Sequence, residues 1–165
     1  MEHRVTLAPH YCWIDTWAFE QVYHQVDRLL KIKSDDARSN ETIRLAQRAL
    51  DLYQGHFLHD ESWAGCFISQ REKFKRRFLD LVWRLGQHWE ARGQWNKAIA
   101  CYQGGLDKDE LAETLYCRLM VCHGKLGQHT EAARAYHRCK KMMALYLDRA
   151  PSQQVKTVYG TICSK

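Results

Sequence analysis

Gly93-Gln94-Trp95-Asn96-Lys97-Ala98-Ile99-Ala100-Cys101-Tyr102 and Gly127-Gln128-His129-Thr130-Glu131-Ala132-Ala133-Arg134-Ala135-Tyr136 are two copies of one pattern, the second starting 34 residues after the first. Glycine, glutamine, alanine and tyrosine recur at matching places. A period of this length belongs to a helix-turn-helix unit. One such unit cannot bury its own apolar face, so adjacent copies predict helix pairs stacked on one another. Gly93 and Gly127 fall where a helix end calls for a left-handed residue, a conformation glycine adopts at little steric cost.

Aligning the copies on their glycines places Val82, Leu85, Gly86 and Trp89 in one first helix and Tyr116, Leu119, Met120 and His123 in the other. A small residue at the third of these places, with Ala98 or Ala132 from the partner helix, lets the two helices approach closely, and Tyr102 or Tyr136 fills the space one turn later. The second copy departs at Met120 and His123, and His123 reads as a packed histidine rather than a ligand or base. In stacked repeats the first helices line the concave side. Their outward positions, Asp80, Trp83, Gln87, Glu90, Thr114, Cys117, Val121 and Lys125, are therefore candidates for a partner groove. Trp83 is the natural anchor, since aromatics are favoured at interface centres, with burial against a neighbouring repeat as the alternative.

Away from the repeat, Val5, Leu7, Pro9, Tyr11 and Trp13 alternate as in an edge strand or a linker, so residues 1–14 read as the connection to something that precedes the helices. Asp15 can cap a first helix over about 16 to 32, carrying Trp17, Phe19, Val22, Val26, Leu29 and Leu30. A loop from Lys33 to Asn40 follows, and Asn40 caps a second helix with Ile43, Ala46, Leu50 and Tyr53 on one face and Gly55 as its stop. Phe57, Leu58 and Trp63 are expected to plug the end of the core. One long helix is expected over about 64 to 92, then helices over about 95 to 106, 112 to 126 and 129 to 147. Pro151 stops the run, and Ser152 caps a last helix through Ile162.

At 165 residues the chain buries most of its apolar surface without staples. Its seven cysteines are odd in number and lack a CxxC, which suits free thiols in a reducing cytoplasm. Cys117, Cys122, His123, His137 and Cys139 invite a metal reading, but 117 and 122 lie about 140° apart around a helix and the usual ligand spacings are missing. No metal or cofactor is expected. Phosphate loop, GxSxG and HExxH motifs are all missing, which argues against an enzyme. No apolar run approaches the length of a membrane span. The net charge is +6, densest at Arg71, Lys73, Lys75, Arg76 and Arg77. These cations fall between Phe74, Phe78 and Leu81 and read first as a solvated helix face, with Lys73, Lys75, Arg76 and Arg77 as candidates for an auxiliary DNA-phosphate contact.

The expected fold is all-α: a tetratricopeptide-like right-handed superhelix of about three helix pairs with a C-terminal capping helix. Asp15-Thr16-Trp17-Ala18-Phe19, Ala49-Leu50-Asp51-Leu52-Tyr53-Gln54-Gly55-His56-Phe57-Leu58, the Trp63 segment, Gly93 to Tyr102, Leu119-Met120, Gly127 to Tyr136 and Pro151-Ser152 together resemble the bacterial transcriptional activator domain. That domain occurs in SARP-type antibiotic regulators and in related regulators with response-regulator or ATPase modules. The resemblance implies that residues 15–165 form this domain and that residues 1–14 are the remnant of a preceding winged-helix domain, the chain being a C-terminal fragment of a cytoplasmic activator. It further implies a non-catalytic regulatory role that tunes the adjacent DNA-binding domain through oligomerisation or docking. The partners would be the regulator's own DNA-binding or sensor modules, the transcription machinery or a second copy, with DNA reached indirectly. A generic tetratricopeptide scaffold of another cytosolic protein is the competing reading.

Overall fold

Seven α-helices make up the regular structure of the described residues, 15–31, 36–54 and 64–163 of a computed structural model, with no strand among them. They are α1 (Asp15–Lys31), α2 (Asp36–Leu52), α3 (Ala64–Ala91), α4 (Trp95–Lys108), α5 (Glu113–Lys125), α6 (His129–Leu147) and α7 (Gln153–Cys163). The expected strand-like residues 1–14 and the Gly55 to Trp63 plug lie outside the described residues. Two compact units divide inside α3, Met1–Phe78 and Leu79–Lys165.

In the first unit α1 packs on α2. Phe19, Val22 and Val26 recur at helical spacing and are buried, as are Ile43, Ala46 and Ala49 of α2. Aromatic rings join these helices to the start of α3: Phe19 lies 6.0 Å from Phe74, and Tyr53 stacks on Phe78 at 4.2 Å. Two expectations are corrected here. α2 begins at Asp36, so Asn40 lies within the helix rather than capping it. Ala49 takes the fully buried place and Leu50 is only half-buried, because the inward face runs through 43, 46, 49 and 53.

In the second unit α4 packs on α5, α5 on α6, and α7 on both α5 and α6. The two repeat turns match bond for bond. Gly93 and Gly127 share φ +69°, and Gln94 and Gln128 share φ −87° and ψ 62°. The Gln94 N–H donates to Trp89 O at 2.9 Å and the Gly93 N–H to Glu90 O at 2.9 Å. Thirty-four residues on, the Gln128 N–H donates to His123 O at 2.9 Å and the Gly127 N–H to Gly124 O at 3.1 Å. Each is a Schellman closure, which satisfies carbonyls that the helix end would otherwise leave open. α6 stops at Leu147, ahead of Pro151, because Asp148 turns left-handed at φ 47°. Pro151 is buried, and the Ser152 carbonyl accepts the Lys156 N–H at 3.2 Å as α7 begins.

Candidate interaction surface

The first helices of the two repeats, α3 and α5, carry the residues whose spacing suggested a partner groove. Their inward positions are core. A Cβ at Gly86 would overlap the ring of Tyr102, so the bare glycine is what admits that ring. Tyr102 is fully buried, and its hydroxyl donates to Glu90 Oε1 at 2.6 Å. Burial, together with the Glu90 carboxylate, pushes the phenol well above its ordinary range. The Arg118 Nε donates to the same Oε1 at 3.0 Å, while its second nitrogen engages Oε2, so the guanidinium grips the carboxylate with both arms. With 9 % of its side chain exposed, Glu90 is an internal link between α3, α4 and α5.

This corrects two of the outward positions. Glu90 is spent on Arg118 and Tyr102, and Cys117 is 5 % exposed in the core, so neither is offered to a partner. The physical reason is packing: a position that looks outward on a single helix can face another helix once the helices stack, as Glu90 faces Arg118 of α5. Of the others, Trp83 is 40 % exposed, Thr114 and Lys125 are exposed, Gln87 and Val121 are half-buried, and Asp80 pairs with Arg84 at 3.0 Å. The sequence reading did not single out Arg118. Its one available signal was a cation falling within a helix otherwise rich in buried residues, which asks for a buried acid nearby.

The basic cluster lies on α3 in the first unit. Lys73 and Arg77 both pair with Glu20 of α1, at 2.7 and 2.5 Å, and Arg77 lies over the Tyr23 ring at 5.1 Å. Burial raises the Glu20 carboxyl, but the hydrogen bonds and charges of Lys73 and Arg77 outweigh it and hold the group below the ordinary carboxylate range. Arg76 is exposed and Lys75 half-buried. Two of the four candidate phosphate contacts thus serve the α1–α3 packing.

Burial pushes the Cys101, Cys122 and Cys139 thiols up to about 12, and raises Cys117 also, so all four are protonated at neutral pH and lack the thiolate needed of a nucleophile. His123 is buried, and its Nδ1 meets Gln128 Oε1 at 2.8 Å, which closes the side-chain half of the second turn. No three His, Cys, Asp or Glu side chains converge on one point among the described residues, and none of the described helices is long and apolar enough to cross a membrane.

Comparison with known proteins fits this arrangement. The C-terminal TPR-containing domain of a Plasmodium falciparum FK506-binding protein superposes with a TM-score of 0.55 at 17 % identity, covering 93 % of each chain. At that identity the likeness establishes a tetratricopeptide-like fold and nothing more. No curated protein matches the chain. Residues 14–163 match the bacterial transcriptional activator domain, a span that contains all seven described helices. With the repeat turns, the Pro151-Ser152 junction and the helix order all falling inside that match, the chain belongs to the bacterial transcriptional activator domain family.

Proposed function

We propose that this chain is the accessory, non-catalytic part of a cytoplasmic bacterial transcriptional activator, a docking module that modulates an adjacent DNA-binding domain. The family match over residues 14–163 carries this reading, and the stacked repeats supply the physical means, since a rigid helical stack presents side chains at fixed spacing without a reaction site. The partners are the regulator's own DNA-binding or sensor module or the transcription machinery, and the domain covers residues 15–165. Trp83, with Gln87, Thr114, Val121 and Lys125 still available around the repeats, is the anchor of the contact. A large aromatic left 40 % exposed is the kind of side chain that concentrates binding energy.

The test is promoter binding and activation by the complete regulator carrying Trp83→Ala. Activation is expected to fall several-fold while the far-ultraviolet circular dichroism of the domain stays unchanged, since truncating one interface anchor costs about 2 kcal/mol of binding. Wild-type activation and promoter affinity in a folded Trp83→Ala regulator would refute the assignment of Trp83. The auxiliary phosphate contact is the weaker reading, because Glu20 already engages Lys73 and Arg77.

A further inference from the structure

Burying an ion pair costs free energy, because two charges leave water for a single contact. The Glu90–Arg118 pair nevertheless lies inside the second unit, with 9 % of the Glu90 side chain and 33 % of the Arg118 side chain exposed. α4 is brought in close beside it. Gly86 lacks a Cβ where the Tyr102 ring passes, and a Cβ at Gly105 would lie 2.7 Å from both Val82 of α3 and Leu115 of α5. Thirty-four residues on, the stack closes without a charge at this place. The positions matching Gly86 and Glu90 are Met120, fully buried, and Gly124, whose Cβ would meet Ile162 of α7 at 3.1 Å. Apolar contact is therefore enough to bring helices of this protein together there, and cohesion alone does not call for the ion pair.

What apolar contact lacks is direction. Arg118 meets the carboxylate with two nitrogens, Nε on Oε1 at 3.0 Å and a second nitrogen on Oε2, and such a fork fixes the orientation of both planar groups. Its place on the helices says what it aligns. At 100° per residue, Trp83, Gln87 and Glu90 fall in one row along α3, and Thr114, Arg118, Val121 and Lys125 in one row along α5. Each row of the candidate interaction surface thus contains one half of the pair. We infer that Glu90 and Arg118 are positioning residues of that surface, their two-armed contact holding the Trp83 row of α3 in register with the Thr114 to Lys125 row of α5. The Tyr102 hydroxyl, on Oε1 at 2.6 Å, steadies the carboxylate from the α4 side. Apolar side chains of similar volume would keep the helices together but let one row slide along the other, which a contact surface of fixed spacing does not tolerate. The inference rests on the reading of the domain as an interaction module, and concerns how the surface is held rather than whether Trp83 anchors it.

The test replaces the whole trio, Glu90→Leu with Tyr102→Phe and Arg118→Met, so that no buried polar group is left without its partner. The full chain carrying these changes should unfold in urea at a concentration no lower than wild type, while the complete regulator carrying them should activate several-fold less. Register is read without any partner, by fluorine NMR of the full chain labelled with fluorotryptophan, the Trp83 signal being the one lost in Trp83→Phe. That signal should shift, broaden or split in the triple variant. Arg118→Lys keeps a cation on the carboxylate but removes the fork, and should move both the signal and activation in the same direction by less. An unmoved Trp83 signal in either variant would overturn the inference. So would a clear loss of stability in the triple variant, which would make the trio a source of cohesion. A moved signal with wild-type activation would instead break the reading of the surface on which the inference rests.

Discussion

The α3–α4 and α5–α6 repeats share one turn, bond for bond, yet close their helix pairs differently. In the first, Gly86 leaves room for Tyr102, which is fully buried with its hydroxyl on Glu90. In the second, the matching place is filled by Met120, itself fully buried, and Tyr136 is displaced toward α7, where it stacks on Tyr159 at 4.1 Å. The next position changes with it. Trp89 of the first repeat lies under the Lys97 ammonium at 4.5 Å, whereas His123 turns to Gln128. The tyrosine recurs in sequence but serves two purposes, an internal key in one repeat and a strap for the capping helix in the other.

The sharpest way to break this contrast is to remove each tyrosine. Tyr102→Ala should cost about 4 kcal/mol, as for a large aromatic lost from a tight core, while Tyr136→Ala should cost about 1.5 kcal/mol because its ring is half-buried and leaves no sealed cavity. Urea denaturation of both variants reads the difference, and equal losses would show that the two rings are energetically equivalent after all.

What the repeats share makes a smaller and opposite prediction. Gly93→Ala and Gly127→Ala both force a Cβ into φ +69°, with open space around each, so the loss is backbone strain alone at about 1 kcal/mol in either variant. Thermal melts that differ by several degrees between them would mean that the turns are not equivalent.

A pH dependence belongs to the second repeat. Glu113, at the start of α5, accepts the Ser152 N–H at 2.6 Å and pairs with Arg149 at 2.8 Å, tying α5 to the junction ahead of α7. Burial raises its carboxyl, but the Ser152 hydrogen bonds and the Arg149 charge prevail and the net shift is downward. A carboxyl whose folded-state value lies below its unfolded one stabilises the fold fully above the ordinary carboxylate range and loses that contribution as pH falls through the folded value. Glu113→Gln should therefore lower stability at neutral pH and flatten the acid limb of a stability-against-pH curve. A limb with unchanged slope would assign the acid sensitivity elsewhere.

Much of the fold is legible in the sequence. The glycines, the small residues at Gly86, Ala98 and Ala132 and the helix over His129–Leu147 all follow from local rules, because turn geometry and helical periodicity are set by residues a few positions apart. Partner residues were harder to read. Glu90 and Cys117 look outward on their own helices, and only packing brought Tyr102 of α4 and Arg118 of α5 to the one and placed the other in the core. The Arg71 to Arg77 cluster looked like free charge until α1 brought Glu20 beside it.

By itself the sequence determined the repeat, the all-helical class and the family, since these rest on spacing, composition and motif order. The tertiary structure decided which charges and aromatics remain for a partner. Lys73, Arg77 and Glu90 were spent on contacts between helices, and Leu145, Tyr146 and Leu147 were left exposed at the end of α6. Whether a side chain on a helix faces water depends on residues far along the chain, and only packing brings those together.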